Sequence, residues 1–197
     1  MSATVTVVTP EDLLRMPDEG KGYELVNGEL KEMPVSTESS RVAGSVFFRL
    51  MSYCEAHCPA WVFPEGTSFR CFPDDRNRVR RADTSLILLD RMPVATYEDE
   101  GHCTTVPDLV AEVISPNDLA GEVEEKLAEW LDAGVKVVWV VNPTTRSVRV
   151  HGRSGYTFLR TGDTLTAQEV LSGFAVPVAD LFRRPGEPAT PVATPVT

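Results

Sequence analysis

Residues 106–143 constrain the fold of this chain more than any other stretch, because they are typical of a strand, a helix and a second strand. They read VPDLVAEVISPNDLAGEVEEKLAEWLDAGVKVVWVVNP. The apolar runs 108–114 and 135–141 are continuous, which indicates strands buried on both faces. The first run contains the carboxylate of Glu112. Because a buried carboxylate is unfavourable without a partner, we expect Glu112 to have one.

The helix predicted over residues 119–133 carries Lys126 at the edge of its apolar stripe. That stripe recurs with the helical period and comprises Leu119, Val123, Leu127, Trp130 and Leu131. Two interpretations of Lys126 remain open. Its side chain extends outward to solvent, or it reaches the carboxylate on the preceding strand. Asp118 is the predicted N-cap of this helix, and Gly134 is its predicted stop.

The length of the chain favours one domain. It has 197 residues, of which 42% are hydrophobic and 24% charged, which is ordinary for a globular protein. We expect a single domain over residues 1–184 and a disordered tail rich in proline and threonine over residues 185–197. No apolar run is long enough to cross a bilayer, and the first residues lack the pattern of a signal peptide, so we expect a cytoplasmic protein.

The formal net charge of −10 and the isoelectric point near 4.8 argue against one class of function. A protein that holds nucleic acid by a broad basic face would be rich in lysine and arginine. The charge still allows an enzyme that meets a polyanion in a locally neutralised or metal-filled cleft.

Four cysteines raise the question of disulfides or a metal site. They are Cys54, Cys58, Cys71 and Cys103. A disulfide framework is not expected without an export signal. His57 lies between Cys54 and Cys58 on a predicted helix, which leaves zinc open, but a second pair of ligands is missing. Reduced, partly buried thiols are the favoured interpretation.

Local signals place the remaining elements. A capping box at Thr9 and Asp12 predicts a short helix that ends near residue 16. Asn27 and Gly28 predict a hairpin turn. The other predicted elements are hairpin strands over 22–26 and 29–34, a polar loop over 36–40, a helix over 41–57, strands over 61–63, 67–72 and 79–89, an antiparallel pair over 147–151 and 156–160, and a helical turn over 178–182.

Asp83 and Glu112 are the first candidates for chemistry. Asp83 lies at the head of an apolar strand, where two-residue alternation places it on one face with Arg81 and Ser85. If this strand lies beside that of Glu112, two carboxylates converge at one end of a sheet, which suits a hard cation such as Mg²⁺. Taken singly, each is equally well explained as a satisfied or edge-exposed acid.

Five segments, in this order and spacing, form a recognisable set. They read YELVNGEL, RRADTSLIL, PDLVAEVISPND, EKLAEWLDAGVKVVWVVNP and SGFAVPVADLF. Together they resemble the Uma-type restriction endonuclease family of the PD-(D/E)XK nuclease superfamily, over residues 9–182. The resemblance implies an α/β, restriction-endonuclease-like core with a central mixed sheet flanked by helices, an N-terminal β-hairpin and C-terminal antiparallel strands. It also implies metal-dependent hydrolysis of phosphodiester bonds in nucleic acid, with DNA as the expected substrate.

The resemblance implies a set of site residues as well. Asp83 and Glu112 match the two acidic residues of the superfamily motif, and both would be catalytic and hold Mg²⁺ or Mn²⁺. Glu24 matches a catalytic glutamate of the N-terminal segment, and Glu29 is a further candidate. The proposed metal activates water and neutralises the scissile phosphate.

The position of the lysine departs from the usual motif. It normally stands two residues after the glutamate, where this chain has Ile114. In some superfamily branches the lysine lies on the following helix, and Lys126 fits that catalytic position. Two further departures are Ala82, where the family often has proline, and Arg41, where it often has histidine.

A group of arginines precedes Asp83 and has two interpretations. They are Arg76, Arg78, Arg80 and Arg81. They contact substrate phosphates, or they form a solvated loop balanced by Asp74 and Asp75.

Three functions remain open at this point. The first is a magnesium-dependent endonuclease, which the joint presence of Asp83, Glu112 and Lys126 favours. The second is a catalytically inactive nuclease-fold binding or assembly domain, which the acidic charge and the missing strand lysine favour. The third is a metal hydrolase of another phosphate ester. We expect a homodimer, as in nucleases that cut both strands; residues 137–141, Phe47 and Phe48 are core or dimer surface.

Overall fold

The structure is a computed structural model that describes residues 7–188 except residues 35, 99 and 154. The helices in this part of the chain are α1 (Pro10–Arg15), α2 (Thr37–His57), α3 (Ala120–Ala133) and α4 (Val178–Leu181), with short 3₁₀ turns at Pro17–Gly20 and Val94–Thr96. The strands are β1 (Tyr23–Val26), β2 (Glu29–Glu32), β3 (Ala60–Pro64), β4 (Ser68–Phe69), β5 (Arg80–Arg81), β6 (Thr84–Leu88), β7 (Leu109–Val113), β8 (Val137–Asn142), β9 (Ser147–Gly152), β10 (Gly155–Leu159), β11 (Thr164–Ala167) and β12 (Leu171–Pro177).

A six-stranded mixed sheet is the centre of the fold. Its strand order is β10-β9-β8-β7-β6-β3, in which β7 and β8 are parallel and the other neighbours are antiparallel. The parallel pair is connected by α3, which confirms the strand–helix–strand unit expected from residues 106–143. The hairpin β1–β2 and the antiparallel pairs β9–β10 and β11–β12 complete the α/β architecture implied by the sequence, and this fold class is confirmed.

Apart from Glu112 in β7 and Asn142 at the end of β8, the two central strands are apolar, because helices cover both faces of the sheet. Ala111 and Trp139 belong to the core on the side of α2, whereas Val110 and Val138 pack with Trp130 of α3 on the other side. Residues 137–141 are therefore core, which answers one of the two alternatives left open for them.

Helix ends follow the capping signals in two cases and depart from them in two others. The capping box of Thr9 and Asp12 is present, and Gly134 ends α3 in a left-handed conformation with φ of 102°. The predicted loop over residues 36–40 is wrong, because the Ser36 side chain caps α2, which begins at residue 37. Asp118 is not the N-cap of α3; its carboxylate instead accepts a hydrogen bond of 2.8 Å from the Ser115 amide.

The single strand predicted over residues 79–89 is also wrong. The chain forms β5, which pairs with β4, and then β6, which pairs with β3 and β7 in the central sheet. The break at residues 82–83 frees Asp83 from strand alternation, so the predicted shared face of Arg81, Asp83 and Ser85 does not exist. Asp83 instead accepts a hydrogen bond of 2.6 Å from the Val113 amide.

Two remaining expectations concern the ends and the location of the chain. The disordered tail predicted from residue 185 lies, from residue 189 onward, outside the described residues. No helix in the described part of the chain is long and apolar enough to cross a membrane.

Asp108, at the start of β7, is fully buried and charged. It accepts hydrogen bonds from the Leu88 amide at 2.9 Å, from Arg91 at 2.9 Å and from Lys136 at 2.8 Å. Burial alone would raise the pKa of Asp108, but the bonds from Lys136, Leu88 and Arg91 lower it below its ordinary value. This carboxylate therefore connects the end of β6 with the starts of β7 and β8, at one end of these three inner strands.

The substitution Asp108→Asn is expected to lower the free energy of unfolding by about 2 kcal/mol at pH 7, because Arg91 and Lys136 lose their carboxylate. Since the pKa of Asp108 is lower in the folded than in the unfolded protein, its stabilisation is present above an unfolded pKa of about 3.9 and is lost as the pH falls through the folded pKa. The difference between the two proteins should therefore narrow as the pH falls below about 4. Urea unfolding of both proteins at neutral and acid pH measures this difference in the free energy of unfolding.

The matched control is Asp90→Asn, which alters an exposed aspartate two residues after β6. Its free energy of unfolding should change by less than about 0.5 kcal/mol. Equal stability of Asp108→Asn and the unmodified protein at pH 7 would contradict the assignment.

Candidate active site

Lys126 joins the strand and the helix of the central unit. Its Nζ lies 2.9 Å from Glu112 Oε2, 2.9 Å from Glu24 Oε1 and 2.7 Å from the carbonyl oxygen of Arg81. The crossover helix α3 runs back over β7, so a side chain on its inner edge reaches the strand that precedes it. Of the two interpretations of Lys126, the structure has the inward one. The Lys126 and Glu112 side chains remain 16% and 13% exposed, which leaves both accessible from the adjoining cavity.

Glu112 has a second partner that the sequence reasoning missed. Its Oε1 accepts a hydrogen bond of 2.7 Å from the indole Nε1 of Trp130. The apolar stripe of α3 predicts only a core position for Trp130. The available signal was its position four residues after Lys126, which places both side chains on one helical face. Lys126 and Trp130 together fix both oxygens of Glu112.

The pKa values of Asp83 and Glu112 are both raised above their ordinary values. Burial raises the pKa of Asp83 to about 6, against the opposing effects of Lys126 and of the Val113 amide. Burial raises the pKa of Glu112 to about 8, and the charges of Asp83 and Glu24 add to the effect while Lys126 opposes it. One ammonium therefore does not compensate the carboxylates gathered here.

Lys126 itself is held in its charged form. Burial would lower the pKa of its amine, but Glu112, Glu24 and Asp83 outweigh burial and raise it. An ammonium with a raised pKa can stabilise negative charge but does not serve as a proton acceptor at neutral pH.

Glu24 is bonded through both of its oxygens. Oε1 forms an ion pair of 2.9 Å with Lys126 and accepts a hydrogen bond of 2.8 Å from the Arg81 amide, and Oε2 accepts one of 2.8 Å from Arg80. Burial would raise the pKa of Glu24, but Lys126 and Arg80 lower it. Arg80 also donates to Glu129 at 2.5 Å. Glu24 thus positions Lys126, and its oxygens are already occupied by protein donors.

A cavity of about 320 Å³ opens beside these groups. The acids that line it are Glu24, Glu32, Glu65, Asp83, Glu112, Asp118 and Glu122, and the cations are Lys31, Arg80 and Lys126. Ile114 also lines the cavity, at the place where the usual motif has its lysine. With seven carboxylates and three cations, the cavity disfavours a phosphate group that arrives without additional positive charge.

The described residues contain no group of three or more histidine, cysteine, aspartate or glutamate side chains placed to hold a metal ion. Asp83 and Glu112 are a pair of carboxylates, which matches the way Mg²⁺ is usually bound, by one or two carboxylates with water and substrate phosphate as the other ligands. Burial and the neighbouring acids disfavour the charged forms of these two carboxylates, and a divalent cation between them would favour those forms.

The alternative zinc site does not gather a third ligand. The Cys54 and Cys58 sulfur atoms lie 3.8 Å apart, and His57 Nδ1 lies 3.0 Å from the carbonyl oxygen of Tyr53. Burial raises the pKa of the Cys54 thiol to about 12, which disfavours the thiolate form that zinc requires.

The other residues of the predicted site lie elsewhere. Glu29 is exposed on β2 and does not line the cavity. Arg41 binds Glu38 at 2.8 Å and the carbonyl oxygens of Phe182 and Arg183, so it ties α2 to the end of α4.

Neither interpretation of the arginine group describes Arg78, Arg80 and Arg81. All three are buried, so they are neither a solvated loop nor a free phosphate-binding surface. Arg78 pairs with Asp74 at 2.8 Å, as one interpretation expected of that loop, and Arg81 donates to the carbonyl oxygens of Tyr23, Gly66 and Glu19. Arg80 and Arg81 contact Glu24 and Tyr23 of the β1–β2 hairpin and so hold that hairpin in place.

Comparisons with known proteins agree with this fold. The sequence profile of the Uma2 family, described as "Putative restriction endonuclease", matches residues 10–179. The crystal structure of a protein described as a "putative nuclease belonging to DUF820" from Anabaena variabilis superposes with a TM-score of 0.72 and 19% sequence identity, over 89% of this chain and 97% of that chain. At this identity the likeness shows a common fold. No curated protein matches the chain.

The substitution Trp130→Phe tests how Glu112 is held. Loss of the indole donor removes a hydrogen bond to the charged form, so the pKa of Glu112 should rise further above about 8. The free energy of unfolding should fall by about 1–3 kcal/mol. Carbon-13 NMR titration of the Glu112 carboxyl group measures the first effect.

Trp61→Phe is the matched control, because the Trp61 indole donates a bond of 2.8 Å to the carbonyl oxygen of Met92, away from the cavity. This variant should lose stability but leave the Glu112 titration unchanged. An unchanged titration in Trp130→Phe would show that the indole does not hold Glu112.

Proposed function

This chain belongs to the Uma2 family of restriction-endonuclease-like proteins, and we propose that it is a metal-dependent endonuclease that hydrolyses phosphodiester bonds. The observation that carries the proposal is the contact of 2.9 Å between Lys126 and Glu112, beside Asp83. It joins two acids and a lysine in one accessible cavity, although the lysine comes from a helix and not from the strand.

Asp83 and Glu112 are the proposed ligands of Mg²⁺ or Mn²⁺. When bound, the cation would supply the positive charge that a scissile phosphate needs and would make water more acidic. Such a role agrees with an acidic cavity, because the metal would turn a surface that repels phosphate into one that accepts it.

Lys126 is proposed to act as a fixed positive charge. Its ammonium lies against Glu112 and would stabilise negative charge that develops on the phosphate oxygens during bond cleavage. Glu24 and Trp130 are positioning residues in this proposal, since Glu24 holds Lys126 and Trp130 holds Glu112.

DNA is the proposed substrate and a homodimer the proposed assembly. The family description supports a substrate of nucleic acid, and the choice of DNA over RNA follows from the resemblance to restriction endonucleases. Phe48 on α2 is 65% exposed, which makes that helix the candidate surface for self-association.

One observation favours a catalytically inactive domain as the rival function. Both oxygens of Glu112 are bonded, to Lys126 and to Trp130, so a metal would have to compete with or share these donors. Cleavage and metal binding are separable measurements that decide between the two functions.

A cleavage assay with single-stranded DNA, duplex DNA and RNA, in Mg²⁺ or Mn²⁺, tests the activity. Glu112→Ala and Lys126→Ala should each reduce the rate by about 100-fold or more, because each removes charge that acts on the reacting phosphate. Asp132→Asn, an exposed acid on the same helix, should cleave at the unmodified rate. Circular dichroism verifies that each variant is folded. Activity that survives both substitutions would refute the site, and absence of activity on all substrates would favour the inactive domain.

Thermal unfolding with and without the cation tests the metal site independently of turnover. A ligand at about 100 times its dissociation constant stabilises the folded state by about 2.7 kcal/mol. The melting temperature of the unmodified protein should therefore rise by about 5 °C or more in saturating Mn²⁺.

Asp83→Asn and Glu112→Gln should abolish this rise, whereas Asp132→Asn should retain it. A rise of the same size in all four proteins would show that the cation binds elsewhere.

A further inference from the structure

The β9–β10 hairpin differs in charge from the rest of the chain. Residues 133–162 contain five basic residues and no aspartate or glutamate, in a protein of net charge −10. These residues are Lys136, Arg146, Arg149, Arg153 and Arg160. Within the described part of the chain, Arg149 pairs with Glu124 at 2.6 Å and Lys136 with Asp108 at 2.8 Å, while Arg146, Arg153 and Arg160 form no ion pair with a carboxylate. The hairpin is therefore a local source of positive charge.

Two large aromatic side chains are exposed on the same hairpin. Tyr156 and Phe158 are 66% and 47% exposed on β10, the edge strand of the sheet, and two-residue spacing places them on one face. The His151 ring stacks on Tyr156 with centroids 5.2 Å apart, and the Arg160 guanidinium lies 5.4 Å from the centre of the Phe158 ring. We call these four residues the aromatic platform.

The aromatic platform faces the same side of the sheet as the candidate active site. Across the strands, Glu112 is in register with Val140, Val140 with Arg149, and Arg149 with Phe158. Residues in register share a face, so Phe158 and Glu112 both point to the side of α3. At about 4.8 Å between neighbouring strands, their backbones lie about 14 Å apart. A short stretch of one nucleic-acid strand can therefore span both places.

We propose that the aromatic platform and its arginines bind a single strand of nucleic acid, with bases stacked on Tyr156 and Phe158 and phosphates near Arg153 and Arg160. Exposed aromatic rings with flanking positive charge are the usual means by which proteins hold unpaired bases without a sequence preference. Bases in a duplex are already stacked on each other, so the surface favours a single or locally opened strand. The identity of this ligand rests on the proposed nuclease function.

The charges of the hairpin argue against a second copy of this chain as the occupant. Two copies joined edge to edge through β10 would bring arginines of one hairpin beside those of the other. Basic side chains along an edge strand oppose such pairing. A polyanion gains favourable contacts with Arg153 and Arg160, which form no ion pair with a carboxylate in the described part of the chain.

The test measures binding without cleavage. Fluorescence anisotropy of a labelled single-stranded DNA oligonucleotide, in EDTA, is compared for the unmodified protein, Tyr156→Thr/Phe158→Thr and Thr157→Ala. Threonine keeps the preference for a strand, and Thr157 lies on the same strand but on its opposite face. The double variant should bind at least about ten-fold more weakly, and Thr157→Ala should bind as the unmodified protein does.

A second pair of substitutions, at the arginines, keeps the inference testable if Tyr156→Thr/Phe158→Thr, here called the double variant, fails to fold. Arg153→Gln/Arg160→Gln should weaken binding of the same oligonucleotide and reduce the salt dependence of affinity by about one to two phosphate contacts. Unchanged affinity in both variants would overturn the inference, as would no binding of single strands by the unmodified protein. Sedimentation that shows a dimer broken by the double variant, with unchanged affinity for DNA, would assign the surface to a second copy instead.

The outcomes separate this inference from the proposed function. Cleavage by the unmodified protein with no effect of the double variant on binding would refute the platform and leave the nuclease proposal intact. Platform-dependent binding without cleavage in Mg²⁺ or Mn²⁺ would refute the nuclease proposal and support the surface.

Discussion

The ammonium of Lys126 is the interaction on which the rest of this site depends. It contacts Glu24 and Glu112 at 2.9 Å and lowers the pKa of Asp83 against the effect of burial. Without it, these carboxylates would lie together in a largely buried place with no common counter-charge, and removal of one member of such a group is strongly destabilising. Arg80 binds both Glu24 of β1 and Glu129 of α3, and so fixes the β1–β2 hairpin against α3. The fold positions the lysine by the crossover from β7 to β8.

Much of this arrangement could be predicted because it is encoded over short distances. The continuous apolar runs of residues 106–143 indicate strands covered on both faces, and the structure has a helix on each side of β7 and β8. The turn at Asn27 and Gly28 and the helix stop at Gly134 require left-handed backbone, which these residues adopt readily. The helical period places Lys126 at the edge of the apolar stripe of α3, which allows an outward or an inward side chain, and the structure has the inward one.

What could not be predicted depends on contacts between distant parts of the chain. The break at residues 82–83 follows from pairing of β5 and β6 with different partners, and no local signal distinguishes it from a continuous strand. The burial of Arg80 depends on Glu24 and Glu129, which are 56 and 49 residues away. The arginines of residues 76–81, with aspartates nearby, therefore indicate a loop or a phosphate contact. In the structure Arg78, Arg80 and Arg81 are buried, and Arg80 and Arg81 bind Glu24. The indole bond of Trp130 was hidden by its role in the apolar stripe.

We propose that Asp83 and Glu112 share a divalent cation beside Lys126. Anomalous scattering from crystals grown or soaked with Mn²⁺ tests it most directly, because it locates the metal without reference to turnover. We predict an anomalous peak within ligand distance of one oxygen from each of the two carboxylates, on the cavity side of Lys126. Saturating Mn²⁺ that leaves no peak at these carboxylates, or a peak only at another part of the molecule, would contradict the claim.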